Sequence, residues 1–172
     1  IVGATGECQN YAQTLSATQM ARWQKAQTAK EPLQIVTLDE ALKASKQKST
    51  AKKTWIYKAD NVRDFAWTSS RRFVWDAMPA MIEGKKAMAM SYYAKEAYPI
   101  YSKYSTKAVA HTLKTYSKFS FPYPYPVAIS VEGNQGMEYP MISFNPGRAL
   151  PDGSYSEGAK NAAILVIIHE VG

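Results

Sequence analysis

The feature that most constrains the fold of this chain is the apolar segment at residues 156–172, SEGAKNAAILVIIHEVG. Its pattern predicts a helix. Because apolar side chains lie on nearly every side of that helix, we expect it to be buried. The helix ends in His169 and Glu170, and both are unfavourable to bury without partners. The pair therefore needs an explanation.

The middle of the chain carries strand patterns. Residues 127–133, VAISVEG, alternate apolar and polar positions and predict a strand. A second strand is expected over residues 134–144, and Pro140 within it lacks a backbone donor, so this strand should lie at a sheet edge. The segment KKAMAMSYYAK, residues 85–95, fits a strand or a helix, and its alternating methionines favour the strand. Shorter strands are expected at Trp55–Lys58, Phe65–Thr68 and Phe73–Trp75.

Other segments have helical patterns. A long helix is expected from about Ala94 to Lys118, with Pro99 in its first turn, where proline is tolerated. Shorter helical segments are expected at Ser16–Ala29 and after Thr37, separated by an extended piece at Glu31–Thr37. The pattern predicts an α+β fold, in which a sheet carries helices on one face.

The net charge of +7 has a local origin. Much of the excess lies in the run LKASKQKSTAKK, Leu42–Lys53, which has no aromatic residue to stack on a base. We interpret it as a solvated linker and expect no nucleic-acid partner. Cys8 is the single cysteine, which excludes an internal disulfide and a cysteine-based metal cluster. No apolar window reaches the ~18 residues of a membrane span, so none is expected.

The pair His169-Glu170 on a helix fits the first half of the zincin motif, His-Glu-x-x-His. Two histidines four residues apart lie on one helical face and can bind one Zn²⁺, while the glutamate points at the open metal position. The second histidine would be residue 173, one beyond this sequence. By itself the pair is a weak signal, because a histidine near a helix C-terminus is also favourable for the helix dipole.

Two further segments strengthen this interpretation. These are GMEYP at Gly136–Pro140 and NVRDFAW at Asn61–Trp67. Together with IIHEVG at Ile167–Gly172, they resemble the zinc aminopeptidases of the alanyl and leucyl aminopeptidase type, gluzincins with a thermolysin-like catalytic domain. That family has Gly-x-Met-Glu-Asn, or Gly-Met-Glu-Tyr-Pro in one branch, upstream of its zinc helix. The resemblance covers residues 55–172.

The resemblance implies a role for each matched residue. Glu138 would hold the α-ammonium group of a peptide substrate with a free N-terminus, in a cleft lined by Gly136 and Met137. His169 would be the first ligand of one zinc ion, and Glu170 the general base toward zinc-bound water. The remaining ligands would lie beyond residue 172. The implied fold is the N-terminal lobe of a thermolysin-like domain, a mixed sheet with an edge strand over the zinc helix.

The implied organisation is a connecting extension at residues 1–54, with its Lys/Ser/Thr linker, followed by the N-terminal part of the catalytic domain at residues 55–172. We expect this fragment alone to be inactive, because one histidine cannot hold zinc in a four-coordinate site, and the rest of the parent polypeptide to complete it. An alternative is a metal-free peptide-binding module derived from the same family. Members of this branch are often exported bacterial proteins, which implies a periplasmic or extracellular location.

Overall fold

A computed structural model describes every residue from Ile1 to Gly172. It contains ten strands and five helices. In chain order they are β1 (Val2–Ala4), β2 (Glu7–Cys8), α1 (Tyr11–Thr14), α2 (Ala17–Ala26), β3 (Leu33–Val36), α3 (Leu38–Lys46), β4 (Tyr57–Lys58), β5 (Trp67–Ser69), β6 (Val74–Ile82), β7 (Lys85–Tyr93), α4 (Tyr98–Phe119), β8 (Val127–Glu132), β9 (Met137–Tyr139), β10 (Ile142–Asn145) and α5 (Glu157–Val171).

The centre of the molecule is a six-stranded sheet in the order β3-β6-β7-β8-β10-β9. The pairs β7-β8 and β8-β10 are parallel, and the other three pairs are antiparallel. Two small antiparallel ribbons, β1-β5 and β2-β4, lie beside this sheet. The mixed α+β fold that the sequence predicts is therefore confirmed.

Helices cover both faces of the sheet, whereas the sequence analysis placed them on one. Helices α3, α4 and α5 pack on one face, and α1 and α2 pack on the other. The reason is visible in β6 and β7, whose neighbouring side chains are buried on opposite faces, as with Val74 and Trp75. A strand buried on both sides needs a layer of structure on each side.

Helix α4 forms as predicted and packs across β6, β7 and β8. Pro99 lies in its first turn, where the missing backbone N–H has no helical acceptor to lose. The residues of α4 that face the sheet are fully buried, among them Tyr101 and Val109. None of the helices combines the length and the apolar character that crossing a membrane requires.

Residues 134–144 form a hairpin of two strands, so the prediction of one strand is wrong. The turn at Pro140-Met141 separates β9 from β10, and Met141 adopts a positive φ of 66°. The edge position is confirmed for β9, which pairs only with β10. Pro140 lies just after β9 and helps to end it.

Helix α5 is capped by Ser156, whose side chain accepts a hydrogen bond from the Ala159 N–H. The prediction that this helix is buried is wrong. Only Ala163 and Ile167 are buried, and Leu165 is 65% exposed. Because α5 lies against the sheet and α4 on one side only, Ile164 and Val171 are partly buried against the core, whereas Leu165 projects away from it.

The lysine-rich run begins inside a helix, which corrects the linker interpretation for its first residues. Residues 42–46 are the last part of α3, whose N-terminus carries a capping box between Thr37 and Glu40. Residues 47–54 are extended and exposed. Strand pairings cross position 54, since β1, β2 and β3 pair with β5, β4 and β6. The division of the parent protein at residue 54 stays a prediction.

Candidate functional site

The candidate site lies along the free edge of β9. All three residues of this strand are exposed, and one side of its backbone has no neighbouring strand. Successive side chains of a strand point to opposite faces, so Glu138 lies on the face that carries α4 and α5, whereas Met137 and Tyr139 point to the other. The Tyr139 ring meets Phe144 there, edge to face, at 6.2 Å. The strand therefore offers one carboxylate and a free backbone edge.

Helix α5 brings a second carboxylate to the same place. A Cβ atom added to Gly136 would lie 2.1 Å from Oε1 of Glu170, so this carboxylate rests against the Gly136 backbone. The approach requires glycine, because any side chain at position 136 would displace the carboxylate. The other oxygen, Oε2, is buried and has no hydrogen-bond partner.

The Glu170 carboxyl has a perturbed acidity. Burial raises its pKa above the ordinary value, and the Glu138 carboxylate beside it raises the pKa further, through a shared hydrogen bond and through its negative charge. His169 acts in the opposite direction. A carboxyl group beside a second carboxylate ionises less readily, because like charges repel.

The structure thus brings Gly136, Glu138 and Glu170 together. His169 lies in the last turn of α5 with its ring exposed, close enough for its charge to act on Glu170. The Met137 side chain lies on the opposite face of β9 from Glu138, so at this site the residue presents its backbone.

A small cavity of about 20 Å³ adjoins Glu170. Glu170, Tyr139 and Ser143 line it, together with residues of β8, β10 and the segment that precedes β8. A volume of this size holds about one water molecule. The general-base candidate therefore borders a space that suits a single polar ligand atom.

A row of polar side chains runs across the sheet to the site. In register, one residue from each strand of the six-stranded sheet contributes to this polar row: Gln34, Asp76, Ser91, Ser130, Ser143 and Glu138. From Asp76 to Ser143 the row is buried under α4, and residues of α4 and β10 complete its hydrogen bonds. These bonds include Thr106 Oγ1 to Ser91 Oγ at 2.7 Å and Asn145 Nδ2 to Ser130 Oγ at 2.9 Å.

The β9-β10 turn is tied to the N-terminal segment. Thr5 is fully buried, and its hydroxyl donates to the Pro140 carbonyl at 2.9 Å while accepting from the Ala66 N–H at 3.1 Å. This hydrogen bond fixes the C-terminal end of β9. A residue 133 positions before Glu138 in the sequence therefore helps to hold it in place.

The residues of this chain do not complete a zinc site. Nowhere in residues 1–172 do three His, Cys, Asp or Glu side chains lie together in an arrangement that could hold a metal ion. His169 provides one imidazole, and a four-coordinate zinc site needs two or three further protein ligands.

The polar row was not predicted from the sequence. Its members have a simple signature, because each is a polar residue flanked by apolar ones within a strand: Trp75-Asp76-Ala77, Met90-Ser91-Tyr92, Ile129-Ser130-Val131 and Ile142-Ser143-Phe144. A single polar position on an otherwise apolar strand indicates a hydrogen-bonded partner in the core. Sequence alone does not show that the four positions are in register.

Neither a comparison with protein-family models nor one with curated protein sequences finds a match for this chain. The aminopeptidase resemblance rests on the three motif segments, and the roles that it implies stay predictions.

Proposed function

We propose that this chain is the N-terminal part of the catalytic domain of a zinc aminopeptidase with a thermolysin-like fold. One observation carries the proposal. The Glu138 carboxylate on an exposed edge strand meets the Glu170 carboxylate at the end of an apolar helix, with His169 adjacent. Glu138 and Glu170, which are 32 positions apart in the sequence, are thereby brought together.

The edge strand suits a peptide substrate. An extended peptide can add to a free strand edge through backbone hydrogen bonds, as one more strand. The free edge of β9 spans three exposed residues, and Glu138 is the middle one. A peptide aligned there presents its terminal ammonium group to the Glu138 carboxylate, and a charge-assisted bond of this kind contributes about 1.5–3 kcal/mol.

Glu170 suits proton transfer. The pKa of the Glu170 carboxyl is raised toward neutral pH from the value of an ordinary glutamate. This favours a group that first accepts a proton as general base and later donates it as general acid. The binding of a substrate ammonium group at Glu138 would neutralise the charge that helps to raise the pKa. Glu170 would then ionise more readily, so that substrate binding itself prepares the base.

The metal would be held by His169 together with ligands from residues beyond 172. When bound, zinc supplies Lewis acidity toward the scissile carbonyl and a water molecule. Leu165 projects from an exposed apolar side of α5. This exposed surface is an argument that a further part of the parent polypeptide packs against the helix.

A second candidate is a metal-free peptide-binding module. It is favoured by the fact that β9, with its free backbone edge and Glu138, is complete within this chain. Such a module would bind peptides through the same ammonium contact without cleaving them.

The first experiment tests amine recognition, which both candidates require. The 172-residue protein is titrated by NMR with a dipeptide amide and with its N-acetylated counterpart. We expect saturable binding of the free amine only, and loss of that binding in Glu138→Gln. Glu83→Gln, which removes one charge from an exposed turn, is the matched control and should bind normally. Equal binding of both ligands would contradict the proposal.

The second experiment separates the two candidates. The parent protein, extended beyond residue 172 and loaded with zinc, is assayed for hydrolysis of an aminoacyl-anilide. Cleavage that is lost in Glu170→Gln supports the aminopeptidase. Amine binding without any cleavage by the zinc-loaded protein would favour the binding module.

A further inference from the structure

We propose that a cleft between α3 and the loops that flank β6 and β7 binds a phosphate monoester carrying a small apolar group. We call it the basic cleft. Its volume is about 300 Å³, which is at the lower end of the range for small-molecule sites. The floor is apolar and the rim is cationic. The lining residues are Leu38, Ala41, Leu42, Ser45, Lys46, Arg72 and Lys95.

The floor is one face of α3. Leu38, Ala41, Leu42 and Ser45 follow the spacing i, i+3, i+4, i+7, which places them on a single side of the helix. Ala41 is buried in the core against the sheet, so the bottom of the cleft is rigid. This floor gives an apolar substituent a surface to cover, and Ser45 adds a hydroxyl at its end.

The rim carries an excess of positive charge. Of its three cations only Arg72 has a carboxylate partner, since its Nη2 lies 2.6 Å from Oε1 of Glu96. Lys46 and Lys95 form no ion pair. The three cations and one carboxylate leave a charge of +2, which matches the roughly −1.5 to −2 of a phosphate monoester at pH 7.

The surroundings reinforce that charge. The run from Leu42 to Lys53 contains no acidic residue, and Arg71 lies beside Arg72 with its guanidinium bonded to the Gln47 carbonyl. Like charges around a concave apolar surface focus the potential and attract an anion. Arginine also offers several N–H donors in a planar fork, and Glu96 engages one of them.

The basic cleft is independent of the candidate aminopeptidase site. It lies beside the start of β6, and β9 is four strands further along the sheet. At about 4.8 Å per strand the two places are roughly 19 Å apart. Ligand binding in the cleft therefore requires neither a metal nor a peptide substrate.

The test uses the 172-residue protein and phenyl phosphate, titrated by isothermal calorimetry and by NMR. We expect saturable binding with shifts confined to α3, Arg72 and Lys95, weaker binding of inorganic phosphate and no binding of phenol. The double variant Lys46→Gln/Lys95→Gln should lose about tenfold in affinity for phenyl phosphate, because each exposed cation contributes up to about fivefold to the affinity. Both lysines are exposed, so the fold should be retained, as circular dichroism will show.

The matched control is the double variant Lys43→Gln/Lys48→Gln. It removes the same charge, from two lysines that flank Lys46, but neither side chain lines the cleft. Its affinity should change less than about twofold. Equal losses in the two double variants would overturn the proposal, because binding would then depend on net charge alone. So would tight binding to phosphatidylserine vesicles without saturable binding of phenyl phosphate, which would indicate a membrane surface.

Discussion

The two faces of the six-stranded sheet are built on different principles. The face under α4 and α5 carries the polar row, in which hydroxyls, an amide and the buried Asp76 are linked by hydrogen bonds. The opposite face is held by aromatic packing around Trp75, whose ring lies 5.3–5.4 Å from those of Tyr11, Trp23 and Tyr92. Hydrogen bonds have fixed directions, whereas stacked rings tolerate small shifts.

The candidate site belongs to the first face. Ser143 of the row pairs with Glu138 in register, so the bonded network leads directly to the edge strand. Each face leaves two buried polar atoms without partners: Trp75 Nε1 and Tyr92 Oη on the aromatic face, and Asn145 Oδ1 and Glu170 Oε2 on the other. One face therefore fixes geometry through directional hydrogen bonds and the other through aromatic packing, while each face buries an apolar cluster of similar size.

The largest effect should come from the aromatic face. Trp75→Ala removes the ring at the centre of that cluster and should lower the free energy of unfolding by about 3–5 kcal/mol. Trp75→Phe keeps an aromatic ring and removes the unpaired N–H, so it should lower stability much less. Guanidinium unfolding followed by circular dichroism measures both. Similar values for the two variants would show that the cluster contributes little through its packing.

The polar row should make stability depend on pH. Burial raises the pKa of the Asp76 carboxyl from 3.8 to about 7, and hydrogen bonds from Thr106 and Tyr93 offset part of that rise. Between about pH 4 and pH 7 the folded state then holds a proton that the unfolded chain has released. The free energy of unfolding should therefore fall as pH rises through this window, by about 4 kcal/mol for this group.

Asp76→Asn isolates this contribution. The amide has the shape of the protonated carboxyl and does not titrate. The difference in the free energy of unfolding between the variant and the natural protein should therefore grow from pH 4 to pH 7 and stay constant above pH 7. The measurement is denaturant unfolding at a series of pH values. A constant difference at every pH would mean that Asp76 is ionised in the folded protein across this range.

Two neighbouring tyrosines give a direct comparison of the faces. Tyr93 donates to Asp76 at 2.6 Å, and Tyr92, one residue earlier on β7, points to the other face with an unpaired hydroxyl. Above about pH 7, where Asp76 is ionised, Tyr93→Phe should lower the free energy of unfolding by roughly 1.5–3 kcal/mol, as expected for a bond to a charged group. Tyr92→Phe should be neutral or slightly stabilising. If thermal unfolding showed that Tyr92→Phe destabilises the protein more than Tyr93→Phe, the assignment of roles to the two faces would be contradicted.

The smallest effect concerns the end of the polar row. Glu138→Gln removes the neighbouring charge, so the pKa of Glu170 should fall toward its ordinary value while burial keeps it somewhat raised. Carboxyl ¹³C NMR titration measures the change. Glu157→Gln, at the other end of α5, is the control and should leave the pKa of Glu170 as it is. An unchanged pKa in Glu138→Gln would show that the two carboxylates do not interact.

Sequence patterns predicted the elements that local chemistry determines. Helices were predicted at Ser16–Ala29, after Thr37 and over residues 156–172, and alternation identified β7 and β8. In the structure each of these helices begins at a side-chain cap, at Ser16, Thr37 and Ser156. The β9-β10 hairpin was missed because its turn has no glycine or asparagine, and Met141 takes the left-handed conformation that such residues usually adopt.

Other features depend on tertiary contacts within the chain, which the sequence does not show. The helical pattern of α5 gave no indication of which side would be covered, because both sides are apolar. Strand β6 continues through Pro79, which is tolerated because the β3 pairing ends at Ala77 and the missing donor has no acceptor there. The contact between Glu138 and Glu170 depends on how β9 and α5 are packed, which no local signal specifies.

The buried Thr5 hydroxyl has a practical consequence for handling the protein. Anything that disturbs the first few residues, such as an affinity tag, a fluorophore on the terminal amine or limited digestion, acts on the same hydrogen bond that anchors the Pro140 carbonyl. Ile1 is also engaged, since its backbone nitrogen donates to the Ser70 carbonyl at 3.1 Å. Labels placed instead on the exposed stretch after Gln47 should leave peptide recognition intact.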